Sequence, residues 1–420
     1  MTMWRAMLVG CTLVALVLGV AALVGCPKSP EPESQPPEGG MAGLPGYDEG
    51  EGGPAGEGGA APTGEPVKIG AIFAVTGGAA PLGEPEKRAA EMIEEQINAA
   101  GGVLGRPLDI IIKDDKSETN EAVLACTDLI ETEKVVAIVG PSTTPNTMAI
   151  KDKCEESKVP LVSCAAGKTI TEPLASFVFA VPQTDLLAVA KIVKYLQAQK
   201  ITKVATICDA NPYGDSGRQQ MEKQFPAAGI EILASEQFGT NDTDMTPQLT
   251  KIKKLSPGAV VCWGTNPGPA HVAIGMKKLS MAMPLIQSHG VANAAFLELA
   301  KEAAEGVQLP AGRLIVVDQL PEGGEQKDVL TKFAADFKDK FSKDADTFAG
   351  HAYDSLHIVI KAIEAAGKDD REAVRDAIEK TSGFVGTAGT FNYSPTDHNG
   401  LTEDAFVWVK VEGGKWTLAE

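Results

Sequence analysis

Residues 67–115 read VKIGAIFAVTGGAAPLGEPEKRAAEMIEEQINAAGGVLGRPLDIIIKDD, and this stretch decides the fold. It opens with the apolar run VKIGAIF and closes with LDIIIKDD, and both runs are typical of buried strands. Ile93 and Ile97 lie four residues apart and predict a helix between the strands, with Pro85 at its first position and Gly101 at its stop. A strand, a helix and a strand with short crossovers give a parallel pair, which must be covered on both faces.

The same alternation continues to about residue 320. The runs VVAIVG, PLVS and FVFAV predict further strands of a first sheet, and VATIC, IEILASEQF, AVVCW and PLIQS predict a second sheet. Two long helices then return to the first sheet, and FVWVKVEGGKWTLAE closes the chain as an antiparallel pair with a GG turn. The predicted fold class is therefore α/β, with two doubly wound, mostly parallel lobes joined by a three-segment hinge. Lobe 1 is predicted to take residues 67–182 and 319–392, and lobe 2 residues 183–318 and 393–420.

Composition places the chain among ordinary globular proteins with two domains and appendages. It has 420 residues, of which 44% are hydrophobic and 22% charged, and its net charge is −18. Basic patches interleaved with aromatic residues are missing from the sequence, which argues against nucleic-acid binding.

The first residues have the pattern of an export signal. Arg5 precedes an apolar run that ends in LVGC, with Cys26 as its last residue. The run is also close to the roughly 20 residues that a spanning helix needs, so a transmembrane anchor is the alternative. The weakly basic start and the small residues at the end favour a cleaved signal, residues 1–25, with Cys26 as the lipidated first residue of the mature protein. Residues 26–66 are rich in Pro, Gly and Glu and predict a disordered acidic tether.

Two of the remaining cysteines are predicted to lie close together. Cys126 falls on the helix after the second strand and Cys154 on the helix after the third. Successive right-handed crossovers place those helices on one face of the sheet, so a disulfide between them is possible in an oxidising compartment.

The motifs of catalysis, metal binding and nucleotide binding are incomplete. AAGKT lacks the glycine that a phosphate loop needs five positions before its Gly-Lys pair, because Val162 stands there. DANPYGDSG resembles a calcium loop but has Tyr213 where an oxygen ligand belongs. The sequence contains no HExxH, CxxC or GxSxG, so it predicts no metal, no cofactor and no enzymatic activity.

Binding residues are expected where the parallel strands end, because ligands of α/β sheets lie at the carboxyl ends of the strands. The candidates at those ends are residues 76–82, 141–144 and 164–167, with Tyr213, Thr265 and His289 in the second lobe. Thr144 is expected to cap a helix with Pro145 behind it, either for that purpose alone or together with a ligand anion on the helix N-terminus.

Several separate segments carry a family resemblance from Val67 to Glu420. KIGAIFAVTGGAAPLGE, GPSTTP, CDANPYGDSG, TDMTPQLTKIK and GHAYDSLHIVI occur in an order that resembles the leucine/isoleucine/valine-type periplasmic solute-binding proteins of bacterial ABC importers. The resemblance implies binding residues at Leu82, Thr143, Thr144, Ala165, Gly167, Tyr213, Thr265, His289 and Phe348. For two of these residues the alternative is a purely structural role. Tyr213 is then an aromatic residue that packs within its lobe, and Phe348 is a core residue of its helix.

Two of these positions depart from the amino-acid-binding members of the family. Those members hold the ligand ammonium with a Glu and a Thr hydroxyl, where this chain has His289 and Gly167. An ammonium buried without a carboxylate partner is costly, so a carboxylate ligand without a free α-amino group is expected. The alternative is that His289 turns away and bonds a backbone carbonyl.

The resemblance implies an exported, lipid-anchored protein at the periplasmic or extracellular side of a membrane. It is expected to be a monomer that captures a small carboxylate-bearing ligand, an amino acid or a related organic or aromatic acid, and delivers it to the permease subunits of an ABC transporter. The alternative within the binding class is a sensor domain that feeds a membrane receptor.

Overall fold

The structure is a computed structural model that describes residues 61–419. Its first sheet has five parallel strands in the order β2-β1-β3-β4-β5. The strands are β1 (Val67–Phe73), β2 (Leu108–Asp114), β3 (Ala137–Val139), β4 (Leu161–Ser163) and β5 (Val178–Ala180). Every residue of β3, β4 and β5 is buried, as expected of a parallel sheet covered on both faces.

Three helices connect the strands of the first sheet, namely α1 (Ala80–Ala99), α2 (Thr119–Glu131) and α3 (Thr144–Glu156). A short 3₁₀ turn, Lys168–Ile170, follows β4. Because β1 has β2 on one side and β3 on the other, the crossovers lie on opposite faces of the sheet. Apolar residues of α1 belong to one core cluster with β1, and those of α2 and α3 to another.

Helix α1 begins at Ala80, so the predicted start at Pro85 is wrong and Pro85 lies inside the helix. Pro81 occupies the first turn, where the N–H that proline lacks would have had no helical partner. Pro85 has no N–H to donate to the carbonyl of Pro81 four residues before it. That carbonyl instead accepts a hydrogen bond from Nδ2 of Asn293, at 3.2 Å.

The second sheet has seven strands in the order β14-β13-β10-β9-β8-β6-β7. Five of them run parallel: β6 (Lys203–Asp209), β7 (Glu231–Phe238), β8 (Ala259–Trp263), β9 (Leu285–Gln287) and β10 (Gln308–Ala311). β13 (Val407–Glu412) and β14 (Lys415–Ala419) add an antiparallel edge, joined by the predicted glycine turn. The connecting helices are α4 (Asp185–Ala198), α5 (Pro212–Ala227), α6 (Thr246–Leu255), α7 (Gly268–Lys278) and α8 (Ala294–Ala300), with 3₁₀ turns at His289–Val291 and Lys301–Ala303.

After β10 the chain returns to the first sheet through a 3₁₀ segment, Arg313–Gln319. It then forms α9 (Glu325–Phe341), α10 (Thr347–Ala366), α11 (Arg371–Glu379) and the hairpin of β11 (Ser382–Val385) and β12 (Thr390–Asn392). Buried residues of α9, α10 and α11 share a core cluster with β1 and α1. A last 3₁₀ turn, Glu403–Ala405, precedes β13. The small hairpin and α11 were not predicted.

The chain therefore passes between the two sheets three times, after β5, after β10 and after β12. The predicted α/β fold class with two doubly wound lobes is confirmed. The residue boundaries proposed for the lobes stay a prediction, and the predicted signal segment, Cys26 and nearly all of the tether lie outside the described residues.

Within residues 61–419, no helix has both the length and the apolar character that a membrane span requires. Across the same residues, His, Cys, Asp and Glu side chains do not gather in groups of three or more that could hold a metal ion.

Candidate ligand-binding site

The predicted binding residues of the first lobe lie at the carboxyl-end side of its sheet. Leu82 is in the first turn of α1, Thr143 and Thr144 are at the start of α3, and Ala165 and Gly167 follow β4. All are buried except Thr143, which is half-buried. Leu82 is only 2% exposed, and it lies outside the four apolar clusters found among the described residues.

In the second lobe Tyr213 lies in the first turn of α5, Thr265 in the loop after β8, and His289 directly after β9. Phe348 is a sixth predicted residue of the first lobe and lies in the first turn of α10. The rings of Tyr213 and His289 lie 6.1 Å apart, centroid to centroid. Thr265 is half-buried, and the contacts found within residues 61–419 do not link it or Leu82 to the others.

The cap of α3 is Thr143, so the expectation that Thr144 caps this helix is wrong. Thr143 has extended backbone angles, and its hydroxyl accepts a hydrogen bond from the Asn146 N–H at 3.4 Å. Proline is tolerated throughout the first helical turn, because those N–H groups have no helical partner, and Pro145 therefore did not mark the first position.

Thr144 instead joins α3 to the loop after β4. Its Oγ1 accepts a hydrogen bond from the Gly167 N–H at 3.2 Å. A Cβ atom at position 167 would lie 2.5 Å from Cγ2 of Thr144, so the close approach requires glycine there. Because a hydroxyl both accepts and donates, the Thr144 O–H remains able to donate to a ligand oxygen.

The two lobes meet at this loop, where a buried carboxyl group was not predicted. The Lys168 N–H donates to Oδ2 of Asp185 at 3.3 Å and to Oγ of Ser216 at 3.1 Å, on helices α4 and α5 of the second lobe. Burial raises the pKa of Asp185 to about 7, and its Oδ1 has no hydrogen-bond partner. A buried carboxyl group therefore lies beside the loop of Gly167, and the expectation drawn from His289 and Gly167 stays a prediction.

Aromatic rings surround His289, which is 3% exposed. Its ring centroid lies 5.9 Å from Trp263 and 5.4 Å from Phe406, both at steep interplanar angles. Burial lowers its pKa to about 4, although the Gln183 backbone opposes the shift, so the imidazole is neutral at pH 7. The Gln183 backbone is a hydrogen-bond neighbour of the ring, so the alternative in which His289 bonds a backbone carbonyl stays a prediction beside the ligand-binding one.

A second buried histidine, His351, lies on α10 and was not predicted. Its ring meets that of Phe348 edge to face, with centroids 5.7 Å apart, and both of its nitrogens lack partners. Burial lowers its pKa to about 3, with a smaller contribution from nearby His289. Phe348 itself is buried and lies outside the four apolar clusters of the described residues, and its place in the pocket wall stays a prediction.

Tyr213 is positioned by the cap of α5. Oδ1 of Asn211 accepts hydrogen bonds from the N–H groups of Tyr213 and Gly214, each at 3.0 Å. The Tyr213 hydroxyl lies against Gly290, where a Cβ would come within 3.0 Å, and its hydrogen-bond neighbours are the Ser288 side chain and the Gly290 backbone. Burial raises its pKa well above the ordinary value, which keeps the phenol protonated and able to donate.

The sulfur atoms of Cys126 and Cys154 lie 3.7 Å apart as free thiols. The helices α2 and α3 thus bring together the two cysteines that the crossover argument paired. The disulfide itself stays a prediction.

The sequence and the structure are both similar to those of known binding proteins. The family of periplasmic binding proteins matches residues 66–415. The leucine-, isoleucine-, valine-, threonine- and alanine-binding protein of Pseudomonas aeruginosa is 26% identical over 339 residues, which cover 80% of this chain and 86% of the relative.

Two solved structures extend the comparison. The branched-chain amino acid transporter substrate-binding protein LivJ of Streptococcus pneumoniae, solved in complex with isoleucine, has a TM-score of 0.76 and 27% identity, covering 85% of this chain and 99% of that one. An extracellular ligand-binding receptor of Rhodopseudomonas palustris HaA2 has a TM-score of 0.80 and 24% identity, covering 85% and 100%. At 24% identity, this second similarity is evidence for the fold alone.

Proposed function

Because the chain belongs to the family of periplasmic binding proteins, we propose that it captures a small carboxylate-bearing ligand between its lobes and delivers it to the permease of an ABC transporter. The observation that carries this proposal is the set of polar atoms buried without partners where the lobes meet. Oδ1 of Asp185 and both ring nitrogens of His351 are such atoms. Buried polar groups in native proteins are nearly always hydrogen-bonded, so a ligand is the natural partner for a concentrated group of them.

The carboxylate end of the ligand belongs at the start of α3. The Thr144 hydroxyl can donate to it, and the N-terminus of a helix of 13 residues favours an anion through its dipole and its free N–H groups. Phe348, Leu82 and Tyr213 offer apolar surface for the rest of a small organic acid.

Capture proceeds by hinge closure over the three connections between the sheets. A ligand that contacts both lobes binds the closed state better than the open state and so shifts the population toward closure. Contacts across the cleft, Asn293 to Pro81 and Lys168 to Ser216, belong to the closed arrangement.

In this proposal the protein is exported, carried at the membrane by a lipid on Cys26, and works as a monomer facing the periplasm or the extracellular side. Delivery to a permease is favoured over feeding a receptor because LivJ of Streptococcus pneumoniae, which is similar over 85% of this chain, is named a transporter substrate-binding protein. No cofactor enters the proposal.

A screen of amino acids, aromatic acids and aliphatic carboxylates by thermal unfolding tests the proposal directly. A ligand at 100 times its Kd should stabilise the protein by about 2.7 kcal/mol. If no carboxylate in a broad panel shifts the unfolding temperature, the proposal fails.

The amino group of the ligand is tested with leucine and its deaminated keto acid. We expect the wild type to prefer the keto acid and His289→Glu to move the preference toward leucine, since a glutamate can pair with an ammonium. Asp185 favours the second candidate, an amino acid ligand. If the wild type binds leucine with a micromolar or tighter Kd, and Asp185→Asn abolishes that binding, the ligand is an amino acid whose ammonium pairs with Asp185.

A further inference from the structure

One buried carboxamide lies among all three connections between the sheets. Gln183 is in the first connection, between β5 and α4, and is 1% exposed. Its Nε2 donates hydrogen bonds to the carbonyl of Ala388 at 2.9 Å and to that of Ala405, in the third connection, at 3.3 Å. A Cβ atom on Gly312, the first residue of the second connection, would lie 3.2 Å from the same nitrogen.

The hydrogen bonds of Gln183 join the two lobes. Ala388 and Ala405 belong to the core cluster of the first sheet, whereas Gln183 comes two residues before Asp185, where α4 of the second lobe begins. Gly312 directly follows β10 of the second sheet. Because hinge motion changes the backbone angles of such connecting segments, a rotation of one lobe against the other strains these bonds.

A second carboxamide shows where the first connection can bend. Nδ2 of Asn399, a residue that is 3% exposed, donates to the carbonyls of Ala180 at 3.1 Å and Pro182 at 2.8 Å. The Tyr393 hydroxyl also donates to the Ala180 carbonyl, at 3.2 Å. Since these bonds fix the connection as far as Pro182 to residues that follow β12, its bending begins at Gln183.

The predicted binding residue His289 lies against the same segments. Its ring centroid is 5.4 Å from that of Phe406, which directly follows Ala405. The Gln183 backbone is a hydrogen-bond neighbour of the imidazole. His289 therefore contacts the first and third connections at the point where the Gln183 side chain joins them.

We propose that Gln183 is a positioning residue of the hinge, whose carboxamide holds the three connections in the closed arrangement and so sets the balance between open and closed lobes. The inference rests on the proposed function, in which the lobes close over a ligand. Without the carboxamide, the open state gains population before any ligand is present. A ligand that binds the closed state then has a smaller competent population to bind, and its Kd rises.

Gln183→Leu removes both hydrogen bonds at nearly unchanged volume. We expect small-angle scattering of the ligand-free variant to give a larger radius of gyration than for the wild type. The Kd of the keto acid of leucine, or of the acid that binds most tightly in the carboxylate panel, should rise about fivefold to tenfold.

The matched control for this variant is Asn98→Leu. The Asn98 amide also makes two hydrogen bonds to backbone, with the N–H and the carbonyl of Leu108 at 2.8 and 2.9 Å, but both lie within the first lobe. The control should lower the free energy of unfolding and leave the radius of gyration unchanged.

Gln183→Glu keeps the shape of the side chain and makes its donor titratable. A protonated carboxyl group donates one hydrogen bond, whereas an ionised one donates none and repels the two carbonyls. We expect the difference from the wild type in radius of gyration and Kd to be largest at pH 8 and to shrink at pH 5, while that of Gln183→Leu stays constant. The neighbouring groups His289, Arg313 and Asp404 are present in all three proteins and largely cancel. A packing role alone would not produce this recovery.

Gly312 supplies a test from the second connection. Its φ of −63° and ψ of 155° suit alanine, so Gly312→Ala acts through the contact of its methyl group with Nε2 of Gln183. We expect this substitution to open the wild type and to have no further effect in Gln183→Ala, where the space is vacant. Such non-additivity is the mark of a direct contact.

Unchanged scattering in folded Gln183→Leu and Gly312→Ala, or effects of the double variant that simply add, would show that Gln183 does not position the lobes, while the proposed function stands if an acid binds. Gly312→Ala decides the question also where Gln183→Leu does not fold. Failure of every acid in the panel to bind would contradict the proposed function and leave the scattering of the ligand-free variants as the test of the hinge.

Discussion

Thr143 and Thr144 are adjacent, but their hydroxyl groups have different partners. Thr143 caps α3, and Thr144 holds the Gly167 N–H of the loop after β4. Neighbouring residues of the same type can therefore be separated by experiment into one that stabilises the helix and one that is proposed to contact the ligand.

We expect Thr144→Ala to weaken binding of the best acid from the screen by about 1.5–3 kcal/mol, the typical loss of a hydrogen bond to a charged group. The measurement is calorimetric titration of both threonine variants. Thr143→Ala should mainly lower the free energy of unfolding, by about 1 kcal/mol, as the loss of an N-cap does. Unchanged affinity in Thr144→Ala would place the carboxylate elsewhere.

The buried histidines make stability depend on pH in a defined direction. The pKa of His351 is lowered by burial from 6.5 to about 3 in the folded protein. Below pH 6.5 the unfolded chain binds a proton that the folded protein does not, so stability from this residue is full above that pH and is lost as the pH falls toward 3.

We therefore expect the stability advantage of the ligand-free wild type over His351→Leu to shrink between pH 7 and pH 5, by up to about 1.4 kcal/mol for each pH unit below 6.5. Urea unfolding of both proteins at pH 7, 6 and 5 measures the difference. Other titrating groups, including Asp185 with its raised pKa, are present in both proteins and largely cancel. A difference that stays constant with pH would mean that His351 is not buried as a neutral ring.

At the scale of elements, α2 and α3 pack against the same face of the first sheet. This packing brings Cys126 and Cys154, both fully buried, to a sulfur separation of 3.7 Å. The bond would link α2 to the helix whose start holds Thr143 and Thr144.

We expect protein prepared under oxidising conditions to contain a Cys126–Cys154 disulfide, formed by two-electron oxidation of the two thiols. Mass spectrometry of peptides from unreduced protein detects it, and Cys154→Ser supplies the control in which Cys126 remains a thiol. Closing a loop of this length in the unfolded chain should stabilise the fold by about 3 kcal/mol. Finding both cysteines as free thiols after exposure to oxidant would contradict the prediction of a disulfide.

At the scale of the whole molecule, one hydrogen bond crosses the cleft between the lobes. Its acceptor lies at an irregular position of a helix in one lobe, and its donor is the residue that caps a helix in the other lobe. Pro85 leaves the Pro81 carbonyl without its helical donor, and Nδ2 of Asn293 supplies one at 3.2 Å. Oδ1 of the same Asn293 accepts from the Phe296 N–H and from Asn266.

Asn293→Asp keeps both accepting roles and replaces the donor to Pro81 with a carboxylate oxygen, whose charge also repels the Pro81 carbonyl. We expect it to shift the protein toward the open state and to raise the Kd of the ligand by up to roughly tenfold, since a neutral hydrogen bond contributes about 0.5–1.5 kcal/mol. Small-angle scattering without ligand should give a larger radius of gyration than for the wild type. Identical scattering and affinity would show that this bond does not stabilise closure.

Membrane attachment belongs to the first residues of the chain, outside residues 61–419. We expect Cys26→Ser to yield protein that is not lipidated and is released from membranes, because a lipid on Cys26 is the proposed anchor. Cell fractionation with and without the substitution measures the release. Full membrane retention of the variant would identify the apolar run as an uncleaved spanning helix.

The sequence by itself determined the architecture. The alternation of short apolar runs with helical periodicity is a local property of the chain, and right-handed crossovers leave few ways to assemble it. The strands of both sheets except β10, the glycine turn before β14 and the two long returning helices were therefore predicted close to their observed positions. The same patterns pointed to the strand ends from which Thr144, Gly167, Tyr213 and His289 come.

Only the tertiary structure decided what those residues face. In the sequence, Asp185 looks like any acidic residue in the first turn of a helix. His351 likewise looks like any other residue of a buried helix. Their burial and their missing hydrogen-bond partners arise from contacts between segments far apart in the chain. Since the free energy of a buried polar group depends on the atoms around it and not on its neighbours in sequence, no local pattern could have assigned these two residues to the site.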